Sequence, residues 1–263
     1  MKHSVSLIAV IVVLLCCGCR REGPKQVTVD LLNRMTPVKD QGRSQTCWLY
    51  AMLAAIETEH IMRGDSVNLS VAWLEKCLDE EPHAPESRRG MGATALRLLG
   101  RYGVVAYDAM RTVDTPAPRW AFMFGVQYTP LEFAHSVCAP DEYVALTSQA
   151  DKPYGQMVDV DAPDNWLHDR FFNLPMDTLL RRTESAVSRG HGVCWESSGH
   201  AMAIVGLAHD ERGRRYFVMK NSWGSARPNG GLDYLSYGYF RKHTLAVEMT
   251  RDAFGAWTPC KHS

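Results

Sequence analysis

The chain has 263 residues, with 29 basic and 29 acidic side chains and no formal net charge. That balance leaves no basic footprint for nucleic acid and no acidic tail. With 46% hydrophobic residues at this length, the chain can bury a sizeable core without metal or disulfide staples.

The first residues read as targeting rather than fold. Lys2 and His3 precede an unbroken apolar run over residues 7–15, followed by Cys16-Cys17-Gly18-Cys19 and Arg20-Arg21-Glu22. The run is much shorter than the roughly 20 residues a membrane-spanning helix needs, and it has the length of a secretory apolar region. Its end resembles a bacterial lipoprotein signal, in which a Cys after a small residue is acylated. Cys19, after Gly18, is the expected acceptor, with Cys17 as the other choice. Residues 1–19 are therefore expected to be a signal peptide of lipoprotein type. Residues 20–29 are expected to be a polar tether, 30–250 the folded domain and 251–263 a tail. The implied location is the cell envelope, with the membrane reached through the N-terminal lipid.

In the domain, residues 35–42 read as an extended piece ending in a turn, because Pro37 biases its predecessor to extended geometry and Gly42 permits a tight turn. Residues 47–62 read as a helix, with Ser44 or Thr46 as cap and Leu49, Met52, Leu53, Ile56 and His60 on one face. Gly64 closes it. Two more helices follow over 70–78, capped by Ser70, and 92–102, closed by Gly103. Pro116 and Pro118 mark residues 111–120 as a crossover. Residues 129–133 carry a capping box, 150–176 look mostly irregular, and 177–189 read as a helix closed by Gly190. Strand-like runs then cover 192–196, 200–207, 215–220, 237–240 and 246–250, with a hairpin at 210–214. Helices thus dominate the first half and strands the last third, an α+β segregation into two lobes.

Eight cysteines are present. Outside the leader, Cys47, Cys77, Cys138, Cys194 and Cys260 remain. An odd count in an exported chain leaves one thiol free, and the other four form at most two disulfides or stay as buried thiols. Neither cysteines nor histidines have zinc spacing, and no metal or other cofactor is expected. His60, His83, His135, His168, His191 and His209 sit in no motif and read as surface or loop residues.

Cys47 stands where a nucleophile needs to be. A thiol attacks as thiolate, and a helix N-terminus or a neighbouring imidazolium lowers its pKa. His200 opens an apolar strand and can face a cleft, where it serves as the base. Asn221, at the end of the next strand, can accept a ring N–H of His200 and fix its tautomer, and Trp223 can roof that bond. Gln41, across the Gly42 turn, can return its amide toward the sulfur beside the Cys47 N–H, giving two oxyanion donors.

Three blocks in this order resemble the papain family: Pro37-Val38-Lys39-Asp40-Gln41-Gly42 with Cys47-Trp48, then Gly199-His200-Ala201-Met202, then Asn221-Ser222-Trp223-Gly224. The resemblance implies a two-lobed fold with a helical left lobe over about 30–118. It also implies an antiparallel, barrel-like right lobe over about 119–250, with the active site in the cleft. It implies Cys47 as nucleophile, His200 as general acid and base, Asn221 as the orienting residue and Gln41 as the oxyanion glutamine, acting on peptide or protein. Gly90 is the expected counterpart of a substrate-binding glycine, with Gly92 as an equal alignment, and Trp223 adds to the cleft wall. Further stretches, among them Leu98-Leu99-Gly100-Arg101-Tyr102-Gly103 and Asn173-Leu174-Pro175-Met176-Asp177, resemble the bleomycin hydrolase and aminopeptidase C branch. That branch implies aminopeptidase action. The short stretch between residues 19 and 30 leaves no room for a papain-type inhibitory segment, which fits restricted cleavage. A papain-like endopeptidase, a Cys-dependent acyl transferase and a catalytically silent surface binding protein are the alternatives. The sequence leaves the oligomeric state open.

Overall fold

The computed structural model of the chain describes residues 26–255 except 124 and 140. The expected signal peptide, the lipidation site Cys19 and the last residues of the tail lie outside the described residues, as does Cys260.

In chain order the elements are β1 (Val27–Leu32), α1 (Cys47–Met62), α2 (Val71–Asp79), α3 (Gly92–Tyr102), β2 (Ala121–Met123), β3 (Val126–Tyr128) and α4 (Pro130–Val137). There follow β4 (Tyr143–Thr147), β5 (Met157–Asp159), β6 (Arg170–Asn173), α5 (Met176–Ser188), β7 (Val193–Glu196), β8 (Ala201–Asp210) and β9 (Arg215–Lys220). The chain closes with β10 (Leu232–Ser236), α6 (Tyr237–His243), β11 (Ala246–Thr250) and α7 (Arg251–Phe254). Among the described residues no helix is long and apolar enough to cross a membrane.

The helix starts follow local chemistry. Ser70 accepts the Trp73 N–H at the head of α2, and Thr129 forms a reciprocal capping box with Glu132 at α4. Gly103 ends α3 at φ +75°, and a Cβ there would lie 2.1 Å from the Pro130 carbonyl carbon. Only glycine lets α3 and α4 approach this closely.

The central helix α1 is buried all round, not on one face: Ala51, Ala54, Glu57 and Thr58 are covered as well as the expected apolar stripe. The reason is its place between two layers, with β7 and β8 on one side and α2 and α3 on the other. His60 is therefore buried, its Nε2 2.7 Å from the Val137 carbonyl oxygen, and His191 pairs with Glu59 at 3.1 Å. His60 was expected at the surface or in a loop, and the burial of α1 is what moves it inside; His191 lies in the loop before β7, as expected. α4, which follows the expected lobe boundary near residue 118, packs into the helical layer through Phe133, Ala134 and Val137.

The strand-rich half is one open sheet, ordered β10-β9-β8-β7-β11-β4-β6-β5, with β1 added alongside β8. The sheet forms no closed barrel, and with the helical layer it makes the expected α+β, two-lobed fold. Most pairs are antiparallel, and β4 with β6 is parallel. Trp195, Phe217 and Phe240 fill a second core between this sheet and α5, α6 and α7, each such side chain contributing roughly 1.5–3 kcal/mol by burial. Two expectations change. Residues 237–240 are helix, because Ser236 caps them by accepting the Tyr239 N–H and the last turn carries Arg241, Lys242 and His243. Residues from Val27, inside the expected tether, form β1 on β8. Residues 150–176 are mostly irregular, as expected, and hold the short strands β5 and β6. Cys47, Cys77, Cys138 and Cys194 are all free thiols, so Cys77, Cys138 and Cys194 follow the buried-thiol alternative and not the disulfide one, and Cys47 is free and partly exposed.

Candidate active site

Cys47 is the first residue of α1, at the seam of the two layers. Thr46 precedes it without capping the helix, because its hydroxyl turns to Ser44 and Glu75. No acidic side chain sits in the first turn. The positive end of the helix dipole therefore acts on the sulfur with no competing side-chain anion from the first turn. The thiol is partly exposed. Burial pushes its pKa up, while hydrogen bonds from the Ala201 and Trp48 backbones and the charge of Arg89 oppose that rise.

His200 stands at the mouth of β8, in a tight turn closed by Ser197 N–H on the His200 carbonyl at 2.9 Å. Its ring is 2.9 Å, Nε2 to Oδ1, from Asn221 at the end of β9. The orientation of that amide is set by its other partners. Asn221 Oδ1 accepts the Ser222 N–H at 2.8 Å, and Nδ2 donates to Asp233 at 2.6 Å. The oxygen must therefore face His200, so Nε2 carries the proton and Nδ1 is left to exchange a proton with a thiol. Trp223 stacks on the imidazole at 5.0 Å with 24° between planes, and Arg227 lies over the indole. Burial lowers the His200 pKa, against the Asn221 hydrogen bond and the charge of Asp233. Burial thus disfavours a lone thiolate and a lone imidazolium. Proton transfer between them creates both charges together and leaves the net charge unchanged.

Cys47, His200 and Gly90 line one pocket with Gln45, Trp48, Arg89, Met91, Asp164, Glu196 and Leu245. Gly90 is pressed against Trp48: a Cβ there would be 2.8 Å from the indole. Trp48 and Trp166 in turn donate their ring N–H groups to the carbonyls of Arg88 and Arg89, fixing the segment. Gly92, the alternative alignment, faces the buried Glu248 and Cys194 side chains instead. Gln41 does not line this pocket. Its backbone N–H reaches the Ser222 carbonyl at 2.8 Å, its amide donates to the Ser44 carbonyl and its Oε1 accepts from Ser222 Oγ. The Gln41 turn is thereby tied to the Asn221 loop, and Asp40 bridges to Trp223 as well.

Residues 24–250 match the family described as papain family cysteine protease. The chain belongs to that family. Chymopapain of Carica papaya is 26% identical over 228 residues, which cover 83% of this chain and 54% of chymopapain. Cysteine endopeptidase Rep1 of Oryza sativa subsp. japonica is 24% identical, with 80% and 53% covered. The chain therefore spans about half the length of the curated relatives it matches. PepW from Lactobacillus rhamnosis HN001 superimposes with a TM-score of 0.66 at 15% identity, over 86% of this chain and 82% of PepW. The bromelain protease of Ananas comosus, solved with the E64 inhibitor, superimposes at 0.50 and 16% identity, with 82% and 93% covered. At such identities the superpositions establish the fold.

In this papain-family chain the pocket includes residues that the sequence reading missed: Gln45, Arg89, Asp164 and Glu196. A signal existed for Glu196, a lone carboxylate in the buried run Val193-Cys194-Trp195. Its pKa is raised to about 8 by burial and by the charge of Asp164, against the Gly92 N–H it accepts. Glu248 beside it is raised well above the usual carboxylate range by burial and by Glu196. Cys194, Glu196 and Glu248 have ligand atoms within 4.8 Å of one another, so among the described residues this is a donor set compact enough to hold a cation.

Proposed function

We propose that the chain is a cysteine peptidase that hydrolyses peptide bonds through an acyl-enzyme. The reading is carried by the His200–Asn221 hydrogen bond, which leaves His200 Nδ1 free in the cleft that Cys47 also lines. In this reading Cys47 gives its proton to His200 Nδ1 and the thiolate adds to the scissile carbonyl. The Cys47 N–H and the Gln41 amide hold the oxyanion. His200 then protonates the leaving amine as the C–N bond breaks. Water loses a proton to His200 and adds to the thioester, and collapse of that adduct releases the acid and returns the proton to sulfur.

The finer reading is an aminopeptidase of the bleomycin hydrolase branch, supported by the stretches of resemblance around residues 98–103 and 173–177. The tail after α7 is the segment that would confine cleavage to N-termini. A truncation testing this should follow Gly255, because Ala253 and Phe254 are buried in the second core. Release of endopeptidase activity supports the reading, and an unchanged cleavage pattern rejects it. Export with acylation at Cys19 is proposed on the leader sequence alone, and lipid labelling that persists in Cys19→Ala and Cys17→Ala chains rejects it.

The peptidase reading is tested by incubating the chain with the thiol-directed epoxide E-64 and mapping the adduct, then assaying aminoacyl and N-blocked peptidyl fluorogenic substrates. An adduct on Cys47 with hydrolysis of either class supports it. Absence of both the adduct and hydrolysis rejects it.

A further inference from the structure

The pocket beside Cys47 is lined by a buried carboxyl, Glu196, one oxygen of which its surroundings leave without a partner. Glu196 enters from the end of β7 with its side chain almost wholly covered, at 3% exposure. One carboxylate oxygen takes the Gly92 N–H at the head of α3, and the other, Oε2, has no hydrogen-bond partner. The charged and titratable groups around it come from every neighbouring element. Cys194 shares its strand, Glu248 lies on the adjacent strand β11, and Asp164 and Arg89 stand on the pocket wall near Cys47 and His200. Of these, Arg89 is the permanent cation, and it is already engaged. It grips Asp164 through Nε and Nη2 at 2.8–3.2 Å and donates to the Ser198 carbonyl at 2.9 Å. Glu248 contributes a second buried carboxyl, which the Cys194 thiol faces.

Buried acceptors without donors are unfavourable, and a cation arriving with its own N–H groups supplies both the missing hydrogen bond and the missing charge. An aliphatic or aromatic side chain in the same place would bring no donor to Oε2. We propose that this pocket selects a positively charged group on the substrate, an ammonium or guanidinium that pairs with Glu196 Oε2. The inference rests on the reading of Cys47 as nucleophile. The charge has two possible sources, a Lys or Arg side chain in a blocked or internal peptide, or the free α-ammonium of a substrate N-terminus.

Two measurements test this together. The full chain carrying Cys47→Ala is titrated with dye-labelled peptides by fluorescence anisotropy in chelator-containing buffer. The peptides are N-blocked with Arg, N-blocked with norleucine at the same positions, and free-amine with norleucine. The active chain is assayed for kcat/KM on fluorogenic substrates of the same three designs. A preference of roughly 10- to 100-fold for a charged member is expected, and Glu196→Gln should bring the ratio close to one. Preference for blocked Arg assigns the side chain, and preference confined to the free amine assigns the N-terminus. The comparison of the three peptides on the chain with Glu196 intact keeps the test open if Glu196→Gln fails to fold. Equal binding of all three peptides, no binding up to millimolar concentration, or a charge preference that survives Glu196→Gln overturns the proposal. Cleavage without charge preference sinks the pocket assignment alone. Charge-selective binding without any cleavage sinks the peptidase reading and leaves the pocket standing.

Discussion

Replacing Glu57 by Gln should destabilise the fold by about 3–5 kcal/mol, the range for removing one partner of a buried ion pair. Glu57 is fully buried in α1. Its carboxylate pairs with Lys39, accepts from Thr36 Oγ1 and from the Leu69 N–H, and stands 3.7 Å from Lys220. The amide introduced by Glu57→Gln would keep an acceptor for the Leu69 N–H but would leave two cations, Lys39 and Lys220, sharing a covered site without an anion. Burial already lowers the Lys220 pKa from 10.5 to about 8, and Glu57 opposes that shift. Since the folded value lies below the unfolded one, the unfolded chain binds more protons between about pH 8 and 10.5. Stability from this group therefore rises across that window as pH increases. The variant, with Lys220 depressed further, should recover part of its deficit at alkaline pH. Urea denaturation and thermal melting at pH 7 and pH 9.5 read the effect. For a chain of this size each kcal/mol moves Tm by roughly 2–4 °C, so a drop of roughly 6–20 °C is expected at pH 7. A loss below about 1 kcal/mol at pH 7, the level of an exposed pair, or a deficit that grows with pH, would refute the reasoning.

Further outcomes follow from single contacts. Asn221→Ala removes the acceptor that sets the His200 tautomer and leaves Ser222 N–H and Asp233 short of a partner; kcat should fall roughly 10- to 100-fold with KM little changed. Equal kcat in the two chains contradicts the positioning role. Gln41→Ala should lower kcat about 10²–10³-fold if its amide holds the oxyanion, and an unchanged kcat shows that the amide stays on the Ser44 carbonyl throughout. Gly103→Ala should cost about 2–3 kcal/mol of stability in a melting experiment, because the position combines φ +75° with a backbone neighbour at 2.1 Å. A neutral result would mean that α3 and α4 separate easily.

The helices were legible because their signals are local. The bounds 47–62 and 92–102 match α1 and α3, since apolar spacing and a closing glycine lie within the segment itself. Asn221 was legible because it belongs to a contiguous block with Ser222 and Trp223. The burial of α1 on all sides was not, since it depends on what the sheet places against Glu57 and Thr58. Strands β5 and β6 stayed hidden because they are short and half-exposed among Asp, Asn and Pro. Residues 237–240 carry aromatic strand formers, yet the Ser236 cap and the basic last turn prevail. The pocket lining was the least legible part. Arg89, Asp164 and Glu196 come from segments far apart in the chain, and only the fold brings their charges to the same wall as Cys47.

The central claim is that Cys47 forms the acyl-enzyme. Its most direct test is kcat/KM of the wild-type chain against Cys47→Ala on one fluorogenic peptide that the wild type cleaves, both chains being folded by thermal melt. The account predicts no hydrolysis above background in Cys47→Ala. Wild-type activity in that variant would contradict it.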